Sequence, residues 1–211
     1  MKINLDSPVI VFLTTVADFM ILNILFILCC APVITIGPAV SALYTITMRE
    51  ARHEGGYIFK PFFKAFKNNF KQAFLLSILY LIIGASFVFG VKFWIEKPEF
   101  STVNQVILVI TGVFAVIFIF SLLYVFALIA RFDNTIFKSV KNAVMLAGFN
   151  LRETFLLTLI HVIVIVLMIF TKGIWIFMMV GGFSVCAYIN SLLFIRVFRQ
   201  YEKIEGGNHD D

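Results

Sequence analysis

The sequence predicts an all-α fold: a polytopic membrane bundle of five to six transmembrane helices, with an internal parallel duplication and two cytoplasmic amphipathic helices. Of the 211 residues, 61% are hydrophobic and 14% are charged, and the mean hydropathy is +1.01, far from the composition of soluble domains. Long windows carry no charge, and similar blocks recur in order along the chain. We therefore expect a single membrane domain over residues 1–211.

Uncharged windows identify the spans. Each is near or above the roughly 18 residues that indicate a membrane-spanning helix, and they cover residues 19–48, 72–91, 100–130, 154–171 and 173–195. These runs lack the alternation of a membrane β-strand, so helices are expected. The apolar run that begins at Pro8 is too long for a signal peptide, and it is expected to stay attached.

The first window is broken by PVITIGPAV at residues 32–40. One option is two crossings, over 8–31 and 38–52, with both termini cytoplasmic; the other is one long kinked span with the N-terminus outside. We favour two crossings, since residues 9–48 make roughly twice the length one crossing needs. The second helix would be only about 22 Å long, so residues 32–37 are expected within the membrane, where Thr35 and Ser41 could satisfy part of the backbone.

Positive charge predicts the orientation, because cytoplasmic loops collect Lys and Arg. Of 17 basic residues, six lie in the connection 49–71, four in 131–152 and three in 196–203. The opposite loops carry only Lys92, Lys97 and Lys172. We therefore expect a cytoplasmic C-terminus. The same asymmetry explains the basic charge balance, so no nucleic-acid partner is expected.

Three sequence blocks recur in the same order. FFKAFKNN at 62–69 resembles IFKSVKNA at 136–143, NFKQAFLLSILY from 69 resembles NLRETFLLTLIH from 150, and SALY at 41 resembles SLLY at 121. Compared with the first copy, the second has seven extra residues between the block at 136–143 and the block that begins at 150. The predicted units cover about 8–95 and 104–171, followed by an extra helix over 173–198 and a polar tail over 199–211. Parallel repeats occur in some transporters and in other membrane proteins.

The basic connections are predicted to contain amphipathic helices at the membrane surface. Phenylalanines between residues 62 and 70 recur at helical spacing beside lysines. In the second copy Asp133, Asn134 or Thr135 can cap a helix ending near Gly148, and Asn69 and Asn150 head possible capping boxes for the next spans. These helices either bind anionic lipid or a partner, or simply anchor the protein at the interface; the candidate contacts are Lys64, Lys67, Lys71, Lys138, Lys141 and Arg152.

Polar residues inside the apolar runs are the other candidates. An ionised carboxylate such as that of Asp18 costs at least about 2.5 kcal/mol in a membrane helix, so it needs a partner or a wet cavity. Each polar group could line a substrate path or could hydrogen-bond a neighbouring helix. The candidate membrane-embedded site consists of Asp18, Asn23, Thr35, Gly37, Pro38 and His161.

Catalytic signatures do not emerge from the sequence. It contains no HExxH, GxSxG or GxxxxGK[ST] pattern, and the cysteines lack metal-ligand spacing. We therefore expect no enzyme activity, no catalytic residue, no metal site and no cofactor.

Three stretches carry a family resemblance: LNILFILCCAPVITIGPAVSALY, FFKAFKNNFKQ and LIARFDNTIFKSVKNAVMLA, the last followed by an Asn-headed span. Together they resemble the YesL-like family of bacterial integral membrane proteins, most specifically at Pro-x-x-Thr-x-Gly-Pro-Ala over 32–39. The resemblance implies a multi-pass protein of the bacterial cytoplasmic membrane, of unknown molecular function, with an accessory role in carbohydrate use. It brings no assigned catalytic or binding residues.

Two functions follow as hypotheses. The first is a non-catalytic protein, accessory or regulatory to carbohydrate uptake and utilisation, whose basic helices contact a transporter. The alternative is a small-solute transporter or transporter subunit for sugars or oligosaccharides, with Asp18 and the break at 32–38 near its path. The expected partners are the lipid bilayer and either a sugar transporter or further copies of the chain.

Overall fold

In the computed structural model, which describes residues 8–96 and 102–207, every regular element is a helix. The helices are α1 (Pro8–Cys30), a 3-10 turn (Val33–Thr35), α2 (Ile36–Ala51), α3 (Phe59–Ile95), α4 (Thr102–Arg131), α5 (Ile136–Phe149), α6 (Leu151–Phe170), α7 (Lys172–Phe177), a π turn (Met178–Gly182) and α8 (Phe183–Gly207). Lys97 and the chain ends at 1–7 and 208–211 lie outside the described residues.

Five described segments are long and apolar enough to cross a membrane. They are Phe12–Cys30, Phe59–Ile95, Thr102–Arg131, Leu151–Phe170 and Lys172–Arg199. Large apolar side chains stay exposed on the outer faces of these helices, for example Leu81, Val109 and Ile169. An apolar surface of this extent is unstable in water and suits lipid. The predicted all-α membrane bundle is confirmed.

Helix α2 lies at the centre of the bundle. Ten of its 16 residues are buried, and it packs against α1, α3, α4 and α8. Small side chains make this close approach possible, because Ala39, Ser41 and Ala42 are fully buried where neighbouring helices meet them. Helix α2 is therefore a short, largely buried helix surrounded by the other helices.

The chain reverses between α1 and α2. At the turn Thr35 donates to the Cys29 carbonyl, and α1 and α2 pack against each other and both pack against α8. Glu50 lies in the last turn of α2, outside the five candidate spans; burial raises the pKa of its carboxyl, and the charge of Asp18 raises it further. The first window thus forms a helical hairpin, as the two-crossing option requires, and not one kinked helix.

The first amphipathic segment is part of a longer helix. Helix α3 runs without a break through 37 residues, about 55 Å at the standard rise, so it joins the lysine-rich segment to the following span. Asn69 does not cap a new helix there; it lies inside α3, and its amide donates to the Ser41 hydroxyl of α2 at 3.0 Å. With its side chain used in this tertiary bond and no Pro or Gly nearby, the helix continues.

The second copy does contain a separate amphipathic helix. Thr135 caps α5, accepting a hydrogen bond from the Lys138 backbone N–H, as one of the three predicted candidates. The helix ends at Phe149, and Asn150 does not form the predicted capping box; its amide donates back to the Leu146 carbonyl at 3.0 Å. Helix α3 has no such break, because it continues from Phe59 to Ile95.

The two tyrosines that the predicted repeat aligns contact the same aromatic ring. Tyr44 of SALY and Tyr124 of SLLY both contact the ring of Phe194 in α8, at centroid distances of 5.2 and 5.5 Å. Helix α4 is unbroken from Thr102 to Arg131. The duplication stays a prediction. If it is correct, the equivalent tyrosines of the two units contact the same residue of α8.

Candidate functional site

The turn between α1 and α2 is stabilised by Thr35. Its hydroxyl donates to the Cys29 carbonyl at 2.6 Å and also lies 2.7 Å from the Pro32 carbonyl oxygen. The Cys29 carbonyl lies in the last turn of α1, where carbonyls lack an α-helical partner, whereas the Pro32 carbonyl also accepts the Thr35 backbone N–H at 2.9 Å. Around them Val33 and Ile34 are exposed. Thr35 thus satisfies backbone at an apolar tip, in the role predicted for it, whereas Ser41 accepts from Asn69 instead.

Gly37 and Pro38 start α2 at its closest contact with α3. A Cβ on Gly37 would overlap the Ser77 hydroxyl oxygen and would lie 2.7 Å from Phe126 Cε1 and 2.8 Å from the Ala73 carbonyl oxygen. Pro38 is buried in the first turn, where its missing N–H costs nothing. Since Ser77 and Phe126 lie inside the apolar runs of α3 and α4, the hairpin tip lies within the membrane-spanning length.

Asn23 joins α1 to the π turn. Its side chain is fully buried, its amide donates to the carbonyls of Met178 and Met179 at 2.9 and 2.8 Å, and its Oδ1 accepts from the Ser184 N–H at 3.2 Å. A π turn shifts the helical hydrogen-bond register and so frees carbonyls for other donors. Gly181 and Gly182 lie in this turn and are buried. Asn23 therefore acts here as a connection between helices.

The remaining members of the predicted membrane-embedded site lie elsewhere. Asp18 is half-buried and lies near Glu50. His161 is also half-buried, and its Nδ1 lies 2.8 Å from the Leu157 carbonyl of its own helix. The structure thus brings Thr35, Gly37 and Pro38 together at the hairpin turn, while Asn23, Asp18 and His161 have separate surroundings.

Four lysines form a straight row on α3, which we name the lysine stripe: Lys60, Lys64, Lys67 and Lys71. All four are exposed, and their spacing of four, three and four residues keeps them on one face. The opposite face is buried through Phe62 and Ala65. In the described part of the chain no acidic side chain lies within ion-pair distance of any of them.

The basic residues of α5 lie beside the end of this stripe. Gln72, which follows Lys71, donates to the Asn134 carbonyl at 2.7 Å and to the Ser139 hydroxyl at 3.1 Å. Ser139 lies between Lys138 and Lys141, both exposed. Arg152 is exposed in the first turn of α6. The Gln72 bonds thus hold basic segments of both predicted units together.

Three arginines lie close together at one end of the bundle. From the sequence alone they were only positive charges that predict the membrane orientation. Arg52 follows α2, Arg131 ends α4 and Arg199 lies in α8; they line one cavity of about 40 Å³ together with Met48, Ile195 and Phe198. A wider space of about 290 Å³ shares Ile195 and Arg199 and adds Arg196. We call this end of the bundle the basic end. No local sequence motif predicts the basic end, because its residues are far apart in sequence.

The fold and these sites define a class of protein: a polytopic helical membrane protein with a central hairpin and a basic end. A family model described as "Protein of unknown function, DUF624" matches residues 19–91. That stretch contains the hairpin turn, α2 and the lysine stripe. No curated protein and no solved structure gives a significant match to the chain.

Proposed function

We propose that the protein is a non-catalytic accessory or regulatory subunit for carbohydrate uptake in a bacterial cytoplasmic membrane, and that the lysine stripe docks it to the transport system. The carbohydrate role rests on the resemblance to the YesL-like family. The docking role rests on the exposed, unpaired lysine stripe. Under this proposal the basic end and the C-terminus face the cytoplasm.

The geometry of the lysine stripe supports docking to an acidic surface. Eleven residues separate Lys60 from Lys71, which corresponds to about 16 Å along a helix. Their charges are not used within the described chain, and complementary charge steers and orients association. Because α3 is one continuous helix, a partner bound to the lysine stripe would contact the same helix that crosses the membrane.

The packing of the bundle favours an accessory role over a transport path through one chain. Its centre is filled by α2 and by large buried side chains such as Phe62 and Tyr124. Two wide grooves, of about 690 and 650 Å³, lie between α3 and α4 and beside α4 and α5, and apolar side chains dominate their walls. A sugar site requires convergent polar groups.

The proposal is tested by affinity purification of the tagged full-length protein from native membranes of cells growing on oligosaccharide. The variant changes Lys64, Lys67, Lys138 and Lys141 to Gln, and transporter subunits in the eluate are quantified. Exposed ion pairs contribute about 0.3–0.5 kcal/mol each, so losing four should lower recovery of transporter subunits roughly tenfold.

The matched control changes Lys92 and Lys172 to Gln. These lysines are also exposed but lie outside the lysine stripe, Lys92 in the last turn of α3 and Lys172 at the start of α7. This variant should therefore recover the same subunits as the wild type. Equal recovery with the four-residue variant would remove the basic faces of α3 and α5 from the proposal. Sugar flux into proteoliposomes containing the purified protein alone would favour the transporter alternative.

A further inference from the structure

The arginine cavity at the basic end contains an unsatisfied donor. The Nε of Arg52 is buried and has no hydrogen-bond partner, while its Nη2 donates to Glu54 Oε2 at 3.0 Å. Buried donors in proteins are almost always paired, and each exception needs an explanation, one of which is an ion that accepts the bond. Arg52 lines the 40 Å³ cavity, so an acceptor bound there has a donor available.

The residues around the cavity select an anion. Guanidinium groups present planar donor forks that match phosphoryl oxygens, and three such groups surround the same space. Met48, Ile195 and Phe198 form the apolar part of the wall, which excludes water and strengthens the attraction between charges. Arg52 keeps its ion pair with Glu54 through Nη2, and its Nε remains available to the anion.

The size of the cavity limits what enters. About 40 Å³ has room for roughly three waters, or for one tetrahedral phosphoryl group. We propose that this cavity binds a phosphoryl anion through Arg52, Arg131 and Arg199. Any substituent on the phosphate extends into the wider space beside Arg196.

Two sources can supply this chemistry. A membrane lipid can offer the phosphate of its headgroup, because basic pockets at the ends of membrane helices lie at headgroup depth. A soluble phosphate can reach the same arginines from the aqueous side. The binding residues are the same in both cases, so the experiment separates the sources.

The test measures thermal unfolding of the full-length protein in maltoside micelles, which contain no phosphate. One arm adds inorganic phosphate against potassium chloride at equal ionic strength; the other adds phosphatidylglycerol against diacylglycerol, which has the same chains without the phosphate. Saturating ligand should raise the wild-type unfolding midpoint by about 3 °C or more. Arg52→Gln and Arg199→Gln should lose this rise, and Arg199→Lys should keep part of it.

Lys172→Gln is the control, since this exposed lysine begins α7 outside the cavity, and it should respond like the wild type. A rise with phosphatidylglycerol alone supports a lipid headgroup, and a rise with inorganic phosphate supports a soluble source. No rise in the wild type, or an equal rise in Arg52→Gln and Arg199→Gln, overturns the proposal. If Arg52→Gln does not fold, Arg199→Gln decides the result, because Arg199 is exposed and lines the same cavity.

Discussion

Gly37 gives the sharpest test of the hairpin packing. In Gly37→Ala, the new methyl group overlaps the Ser77 hydroxyl oxygen and lies 2.8 Å from the Ala73 carbonyl oxygen. Ser77 can rotate, but it then gives up its 2.8 Å bond to that carbonyl. The carbonyl itself belongs to the backbone of α3 and moves only if the helices separate.

The expected destabilisation follows from three contributions. Overpacking costs about 1–3 kcal/mol, and the lost Ser77 hydrogen bond costs about 0.5–1.5 kcal/mol. Alanine's better helix propensity returns about 1 kcal/mol. We therefore expect Gly37→Ala to lower the free energy of unfolding by about 2 kcal/mol.

The assay is an unfolding titration of purified protein in mixed maltoside and SDS micelles, followed by helical circular dichroism. Gly90→Ala in α3 is the matched control, because a Cβ there meets nothing within 4 Å, and it should be neutral or slightly stabilising. Adding Ser77→Gly to Gly37→Ala should recover part of the loss. If Gly37→Ala is as stable as Gly90→Ala, the close packing at the hairpin is wrong.

The same titration checks three further changes. Asn23→Ala removes three interhelical bonds and should cost about 2 kcal/mol, more than Asn190→Ala, whose amide makes one bond at 3.4 Å; equal losses would contradict the role of the π turn. Thr35→Val keeps the shape but removes the hydroxyl, so a loss of about 1 kcal/mol is expected, and none would show that water replaces it. His53 has a φ of 59° just after α2, so His53→Gly should stabilise by up to about 1 kcal/mol, and a loss would refute strain there.

Local pattern was sufficient for much of the fold. Uncharged windows located the spans because a membrane helix must be apolar along its length. Thr135 was a capping candidate because its hydroxyl can bond the next turn without tertiary help. Even the break at 32–40 followed from the chemistry of proline and glycine.

Tertiary contacts decided the rest. Asn69 has the pattern of a helix start, yet its bond to Ser41, 28 residues away, leaves α3 continuous, and no local rule contains that information. The π turn at Met178–Gly182 likewise depends on Asn23 from α1. The convergence of Arg52, Arg131 and Arg199 requires the packed bundle, since each one alone reads as an ordinary basic helix end.

The burial of α2 has a consequence for the order of biosynthesis. With 16 residues, about 24 Å at the standard rise, α2 is shorter than the hydrocarbon layer and contains buried polar groups. One of these, Thr47, bonds the Leu43 carbonyl within α2 at 3.0 Å, and its hydroxyl also lies 2.7 Å from the Ser191 hydroxyl of α8. Phe194 of α8 covers Tyr44. During synthesis α2 therefore lacks part of its packing until α8 has inserted. A chain that stops before α8 should be degraded by quality-control proteases.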